Sequence, residues 1–122
     1  MAIYTIGDLH LSLDADKAMD VFPGWENYVQ RIRENWLGRI RDEDTVVLVG
    51  DHSWGMSLAG ARRDLAFIDS LPGQKLLVKG NHDYWWSTRA KMEAFFEQEG
   101  FSTLGILHNS AQAAQGVVLC GS

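Results

Sequence analysis

Three short apolar segments of the sequence are each closed by a glycine, and each glycine is followed by acidic, amide or histidine side chains. The segments are residues 2–6, 45–49 and 75–78. Their length and β-branched residues are typical of buried strands. Amphipathic helical patterns separate them, and this alternation predicts successive βαβ units. The expected fold class is therefore α/β, a parallel sheet with helices on its faces.

Apolar residues at spacings of three and four predict the helices. The first stripe contains Trp25, Val29, Ile32, Trp36 and Ile40, and the second contains Leu58, Ala61, Leu65 and Ile68. A third helix is predicted over residues 88–99, ended by Gly100. Residues 9–22 are predicted to form a loop. Two further strands are predicted at residues 102–107 and 117–120, joined by a polar turn.

Composition limits the classes of partner and compartment. The 122 residues correspond to a single domain, residues 1–122, and carry a net charge of -5. We expect no duplex nucleic acid as a partner, because binding phosphates needs clustered Lys and Arg. No apolar run approaches the roughly 20 residues of a membrane span, and no signal peptide is visible, so a cytoplasmic location is expected. The single cysteine, Cys120, excludes an intramolecular disulfide and is expected to be buried.

The polar residues that follow the three strands are candidate metal ligands. In parallel sheets, ligands bind at the carboxyl ends of the strands. Asp8 and His10 follow the first strand, Asp51 the second, and Asn81, His82 and Asp83 the third. Carboxylate, imidazole and amide suit divalent ions such as manganese, iron or zinc. Asp8 and His10 are two apart, so an extended segment would place both side chains on one side.

The three motifs resemble the first signature blocks of the calcineurin-like metallophosphoesterase superfamily. They stand as Gly7-Asp8-Leu9-His10, Gly50-Asp51 and Gly80-Asn81-His82-Asp83. The resemblance implies a metal-dependent phosphoesterase that hydrolyses a phosphomonoester or phosphodiester with metal-activated water. It implies that Asp8 and His10 bind a first metal, Asp51 bridges two metals, and Asn81 binds the second. His82 would face the substrate and act on the leaving group, and Asp83 would orient that histidine.

The sequence also departs from the family pattern. Family members have a second half with further histidine blocks, whereas this chain has four histidines in all, His10, His52, His82 and His108. The chain therefore resembles the amino-terminal half of a bacterial member, and half of the family's sandwich fold. A partial metal site and an inactive short chain are open outcomes. The alternative is a non-catalytic metal-binding or oligomerising remnant, which would self-associate through the uncovered edge or face of its sheet.

Two further points stay open in the sequence. His52 stands where the bacterial branch of the family that this chain resembles tends to have an apolar residue. It could supply a substitute ligand, but we favour a side chain that points away from Asp51, because consecutive strand residues alternate in direction. Trp54, Trp85 and Trp86 follow the second and third motifs, and such aromatics either line a pocket or close a core under a loop.

Overall fold

The computed structural model describes residues 2–13 and 27–121. These residues contain three helices and six strands. In chain order they are β1 (Ile3–Ile6), α1 (Tyr28–Arg39), β2 (Thr45–Leu48), α2 (Leu58–Ser70), β3 (Gln74–Leu77), α3 (Arg89–Glu99), β4 (Leu104–Ile106), β5 (Ser110–Ala114) and β6 (Val117–Gly121). Trp25 and most of the predicted loop 9–22 lie outside the described residues. No helix in the described ranges is both long and apolar enough to cross a membrane.

The first four strands form one parallel sheet in the order β1-β2-β3-β4. Their last residues are in register, with Ile6 opposite Leu48, Leu48 opposite Leu77, and Leu77 opposite Ile106. The carboxyl ends of all four strands therefore lie side by side, along the same edge of the sheet. The predicted α/β class and its βαβ units are confirmed.

The helices begin and end at residues whose chemistry explains their bounds. The Ser57 hydroxyl accepts a hydrogen bond from the Gly60 amide at the start of α2, and the Thr88 hydroxyl accepts one from Lys91 at the start of α3. Gly100 ends α3 in the left-handed conformation (φ 74°), as the sequence predicted. These caps account for where α2 and α3 begin and for where α3 ends.

The core lies between the sheet and the helices. Each crossover moves the chain one strand further in the same direction, so right-handed crossovers place α1, α2 and α3 on the same face. Val46, Leu48 and Leu77 are fully buried on the strands. Trp36 of the first predicted stripe is also buried, and its indole Nε1 donates to the Pro72 carbonyl at 2.9 Å. This packing fixes the positions of the strands, and the polar loops follow directly from the ends of those strands.

An antiparallel hairpin, β5 and β6, follows the parallel sheet. The prediction of a polar turn before residue 117 was wrong, because pairing with β6 makes a strand of residues with weak strand preference. The two connecting residues, Gln115 and Gly116, have φ of 52° and 82°, the pattern of a tight hairpin turn. The expectation for Cys120 was also wrong, since the residue is exposed on the hairpin.

Lys75 is a fully buried cation in the middle of the sheet. Its Nζ donates to the carbonyls of Asp69 (3.2 Å) and Leu71, at the end of α2. Burial lowers the pKa of Lys75 to about 8, against an ordinary value of 10.5. The folded protein therefore releases this proton at a lower pH than the unfolded chain does.

We predict a stability change at alkaline pH that depends on Lys75. Between pH 8 and 10.5 the unfolded chain binds the proton more tightly than the folded protein, so the free energy of unfolding rises with pH. Lys75→Met removes this contribution. Urea unfolding from about pH 7 to about pH 10 should show a steeper rise for the wild type than for the variant. Two parallel curves would contradict this account of the buried cation.

Candidate metal centre

The loops after β1 and β2 stay paired beyond the ends of their strands. The Asp8 amide donates to the Gly50 carbonyl at 3.1 Å, and the His10 amide donates to the Asp51 carbonyl at 2.9 Å. The alternate residues, Leu9 and Leu11, are buried in the core. This continued pairing carries Asp8 and His10 alongside Asp51.

All three of these polar residues have left-handed backbone conformations, with φ of 58° at Asp8, 48° at His10 and 53° at Asp51. The expected extended segment at Asp8 and His10 is therefore wrong, although their side chains do come together. Positive φ is uncommon outside glycine, and it costs free energy that the surrounding structure must supply. Strain of this kind at three neighbouring residues is typical of a functional site.

Asp8, His10 and Asp51 form a cluster suited to a cation. Each offers one ligand atom, and these atoms all lie within 4.8 Å of one another. His10 Nε2 lies 3.9 Å from Asp51 Oδ2. Asp51 is buried, His10 is half-buried and Asp8 is exposed, so the cluster opens to solvent on one side. Two carboxylates and one imidazole fit a divalent ion such as manganese, iron or zinc.

His82 holds the Asp51 carboxylate from the neighbouring loop. Its backbone amide donates to Oδ1 at 2.9 Å, and its ring Nδ1 lies 3.1 Å from Oδ2. Burial alone would raise the pKa of the Asp51 carboxyl, but the hydrogen bonds from the side chain and backbone of His82 lower it below its ordinary value. Asp51 is therefore ionised at neutral pH, which is the form that binds a cation.

The structure places the other predicted site residues at the same edge. The His82 side chain is 38% exposed beside the cluster. Asn81 is exposed on the same loop. The roles predicted for these two residues, at the substrate and at a second metal, stay predictions.

Asp83 is buried beneath that loop. Among the described residues, its carboxylate accepts hydrogen bonds from three backbone amides and from the Trp85 indole. None of these bonds reaches the ring of His82. The predicted orienting of His82 by Asp83 stays a prediction, and the observed contacts act on the backbone of the two loops.

Glycine is required at position 80 by the close approach of two loops. A Cβ added there would lie 2.3 Å from both the Asp51 amide nitrogen and Asp51 Oδ1. Gly50 meets the same constraint, since a Cβ there would lie 2.7 Å from the Gly80 Cα, and its φ is 121°. These two glycines therefore allow the second and third motifs to touch.

His52 packs away from the cluster, as the preferred interpretation expected. It is fully buried, and its Nε2 lies 2.7 Å from the Val78 carbonyl. Burial lowers the pKa of His52, so the ring is neutral at physiological pH and donates from Nε2. His52 is not among the residues whose ligand atoms form the Asp8–His10–Asp51 cluster.

The three tryptophans divide between the two alternatives. Trp85 is a core residue with 1% exposure. Trp86 is half-buried against Trp85 and His108. Trp54 lies at the site, stacked on His10 with ring centroids 5.3 Å apart and tilted against His82 at 5.2 Å.

Sequence reasoning missed Tyr28. Its hydroxyl donates to the His10 carbonyl at 2.7 Å and so ties the first motif to the start of α1. The helical pattern gave no sign of this contact, because Tyr28 lies one residue before Val29 of the predicted stripe. A buried tyrosine usually finds a partner for its hydroxyl, and that general tendency was the available signal.

The comparisons with known proteins agree with this geometry. The family model of the calcineurin-like phosphoesterases matches residues 1–120, and the chain belongs to that family. A solved structure, the protein of unknown function AQ665 from Aquifex aeolicus, is 24% identical with a TM-score of 0.57. The likeness covers 97% of this chain and 58% of that one, and at this identity it shows the fold alone. A search of the curated proteins found no match.

We predict that Gly80→Ala damages the centre specifically. The added methyl group collides with Asp51, so we expect a loss of about 1–3 kcal/mol in unfolding free energy together with weaker Mn²⁺ binding. Chemical denaturation and calorimetric titration with Mn²⁺ measure the two effects.

Gly38→Ala is the matched control. It lies in α1, where an added Cβ meets nothing within 4 Å. This variant should gain up to about 1 kcal/mol and keep wild-type Mn²⁺ affinity. Wild-type affinity in Gly80→Ala as well would contradict the proposed contact between the loops.

Proposed function

We propose that the chain provides the metal-binding half of a metal-dependent phosphoesterase, which hydrolyses a phosphomonoester or a phosphodiester. The observation that carries the proposal is the cluster of Asp8, His10 and Asp51, held in left-handed conformations where two parallel strands end. Membership of the calcineurin-like phosphoesterase family supports the reaction class. The class of substrate and the identity of the metal ion are also parts of the proposal.

In this proposal Asp8, His10 and Asp51 bind the first cation, and Asp51 is shared with a second cation that Asn81 also binds. A bound divalent ion polarises the phosphoester and lowers the pKa of a coordinated water to about 7. The fit rests on the donor set, since two carboxylates and one imidazole meet within 4.8 Å. Manganese, iron and zinc are all compatible with these ligands.

The charge of the cluster is consistent with a cation requirement. Asp8 and Asp51 lie together in a protein with a net charge of -5, and such a surface repels a phosphate group. A bound cation reverses the local charge, so that an anionic substrate is attracted to the same place. Metal is therefore needed for binding the substrate as well as for the reaction.

His82 is suited to a substrate contact. Its Nδ1 is directed at the Asp51 carboxylate, so Nε2 is the ring nitrogen left for a substrate oxygen, and an N–H at Nε2 would donate to that oxygen. The side chain is 38% exposed, which allows the ring to meet a ligand from solvent. We propose that His82 acts on the leaving group, as the family resemblance implies.

The proposal extends to a complete enzyme, of which this chain forms the metal-binding half. The chain spans 58% of the length of the Aquifex aeolicus protein that it matches. We propose that residues of a second half complete the two metal sites, and that the protein works in the cytoplasm. The alternative, a non-catalytic metal-binding remnant, differs from this proposal in turnover and not in metal binding.

We predict that the chain hydrolyses a chromogenic phosphodiester or phosphomonoester only when Mn²⁺ is present. Asp51→Asn should lower turnover by at least about a hundredfold, because the cation supplies several kcal/mol of transition-state stabilisation. Asp42→Asn, an exposed carboxylate in the loop before β2, is the matched control and should retain wild-type turnover.

Each outcome separates the candidate functions. Metal-dependent turnover that Asp51→Asn abolishes supports the phosphoesterase. Mn²⁺ binding without turnover means that the chain binds the metal but does not complete the catalytic site by itself. A chain that neither binds Mn²⁺ nor turns over substrate contradicts the proposal.

A further inference from the structure

The Asp83 carboxylate accepts four hydrogen bonds, two at each oxygen, and the side chain is almost fully buried. Oδ2 accepts from the backbone amides of Asp51 (2.8 Å) and Gly80 (2.7 Å). Oδ1 accepts from the backbone amide of His52 (2.7 Å) and from the Trp85 indole (3.0 Å). Hydrogen bonds to an ionised acceptor are roughly twice as strong as neutral ones, so this carboxylate holds its neighbours firmly.

The donors to Asp83 come from both loops of the candidate centre. The Asp51 and His52 amides belong to the loop after β2, and the Gly80 amide belongs to the loop after β3. Asp51 returns the contact, since its own Oδ1 accepts from the His82 amide. Each carboxylate thus binds the backbone of the loop that carries the other. We call this reciprocal pair of contacts the carboxylate interlock.

The interlock acts on the backbone of a metal ligand. The amides of Asp51 and His52 lie on either side of the Asp51 Cα, where φ is 53°. A residue in this conformation is held only if the surrounding structure compensates its cost. The Asp83 carboxylate supplies two short hydrogen bonds at that point, and they fix the direction in which the Asp51 side chain leaves the chain.

We propose that Asp83 is a positioning residue that sets the place of the Asp51 carboxylate for a divalent cation. The inference rests on the proposed function, since it concerns the same metal site. Asp83 does not contact the cation in this account. It acts through the backbone of Asp51, and the readout of its loss is metal affinity.

Asparagine at position 83 tests this role with little change in shape. The carboxylate offers two oxygens to four donors, but an amide offers one oxygen and one NH₂ group. In either orientation of the amide, two N–H donors lose their acceptor and face the NH₂ group. The loss of partners around a metal ligand typically weakens metal binding by about 10- to 100-fold.

Asp44→Asn is the matched control. Asp44 is also a buried carboxylate that accepts from backbone amides, those of Ala2 and Arg41, each at 2.8 Å. It precedes β2, at the edge of the sheet opposite the centre. Asp44→Asn should therefore destabilise the fold while leaving the metal affinity unchanged.

The experiment measures the Mn²⁺ dissociation constant by calorimetric titration, and the unfolding free energy in chelator, for wild type and both variants. We expect Asp83→Asn to bind Mn²⁺ about 10- to 100-fold more weakly and Asp44→Asn to bind it as the wild type does. If Asp83→Asn does not fold, Trp85→Phe replaces it. That variant removes one donor to Asp83 and should weaken Mn²⁺ binding a few-fold.

The outcomes separate this inference from the proposed function. Wild-type Mn²⁺ affinity in a folded Asp83→Asn protein, or in Trp85→Phe where that variant is used, overturns the positioning role alone. Equal weakening in Asp83→Asn and Asp44→Asn also overturns it, because the effect then follows general destabilisation. A wild-type chain that does not bind Mn²⁺ overturns both the proposed function and this inference.

Discussion

Two buried carboxylates hold the loops after β2 and β3 against one another, and the candidate centre depends on that contact. Asp83 accepts from the backbone at Asp51, and Asp51 accepts from the backbone at His82. The contact is possible only because Gly50 and Gly80 carry no side chains. Charge, hydrogen bonding and steric fit therefore act at one place, and a change to any of these residues affects the candidate metal ligands.

The parallel sheet provides the frame for this contact. Register aligns Ile6, Leu48 and Leu77, so the loops that follow them start side by side. Continued backbone pairing after β1 and β2 then fixes the spacing between the first two motifs. Burial of Leu9 and Leu11 leaves the alternate residues, Asp8 and His10, directed out of the core. The cluster of Asp8, His10 and Asp51 is thus a consequence of the sheet topology and of the contacts between the two loops.

The parts of the fold with local signals could be predicted from the sequence, and the parts set by tertiary contacts could not. Apolar periodicity was enough to predict the three helices, and Gly100 was enough to predict the end of α3. Strand β5 was missed, because its pairing partner decides its structure. The left-handed conformations of Asp8 and His10 were missed for the same reason, since contacts with another loop impose them. The motif residues were identified, but the contacts of Asp83 depend on a loop about 30 residues away in the chain.

The central claim is that Asp8, His10 and Asp51 bind a divalent cation together. A crystal structure of the chain grown with Mn²⁺, with diffraction data collected at the manganese absorption edge, tests it most directly. The account predicts an anomalous difference peak within about 2.0–2.3 Å of an oxygen of each aspartate and a nitrogen of His10. An ordered Asp8–His10–Asp51 cluster with no peak, or manganese peaks found only elsewhere on the protein, would contradict it.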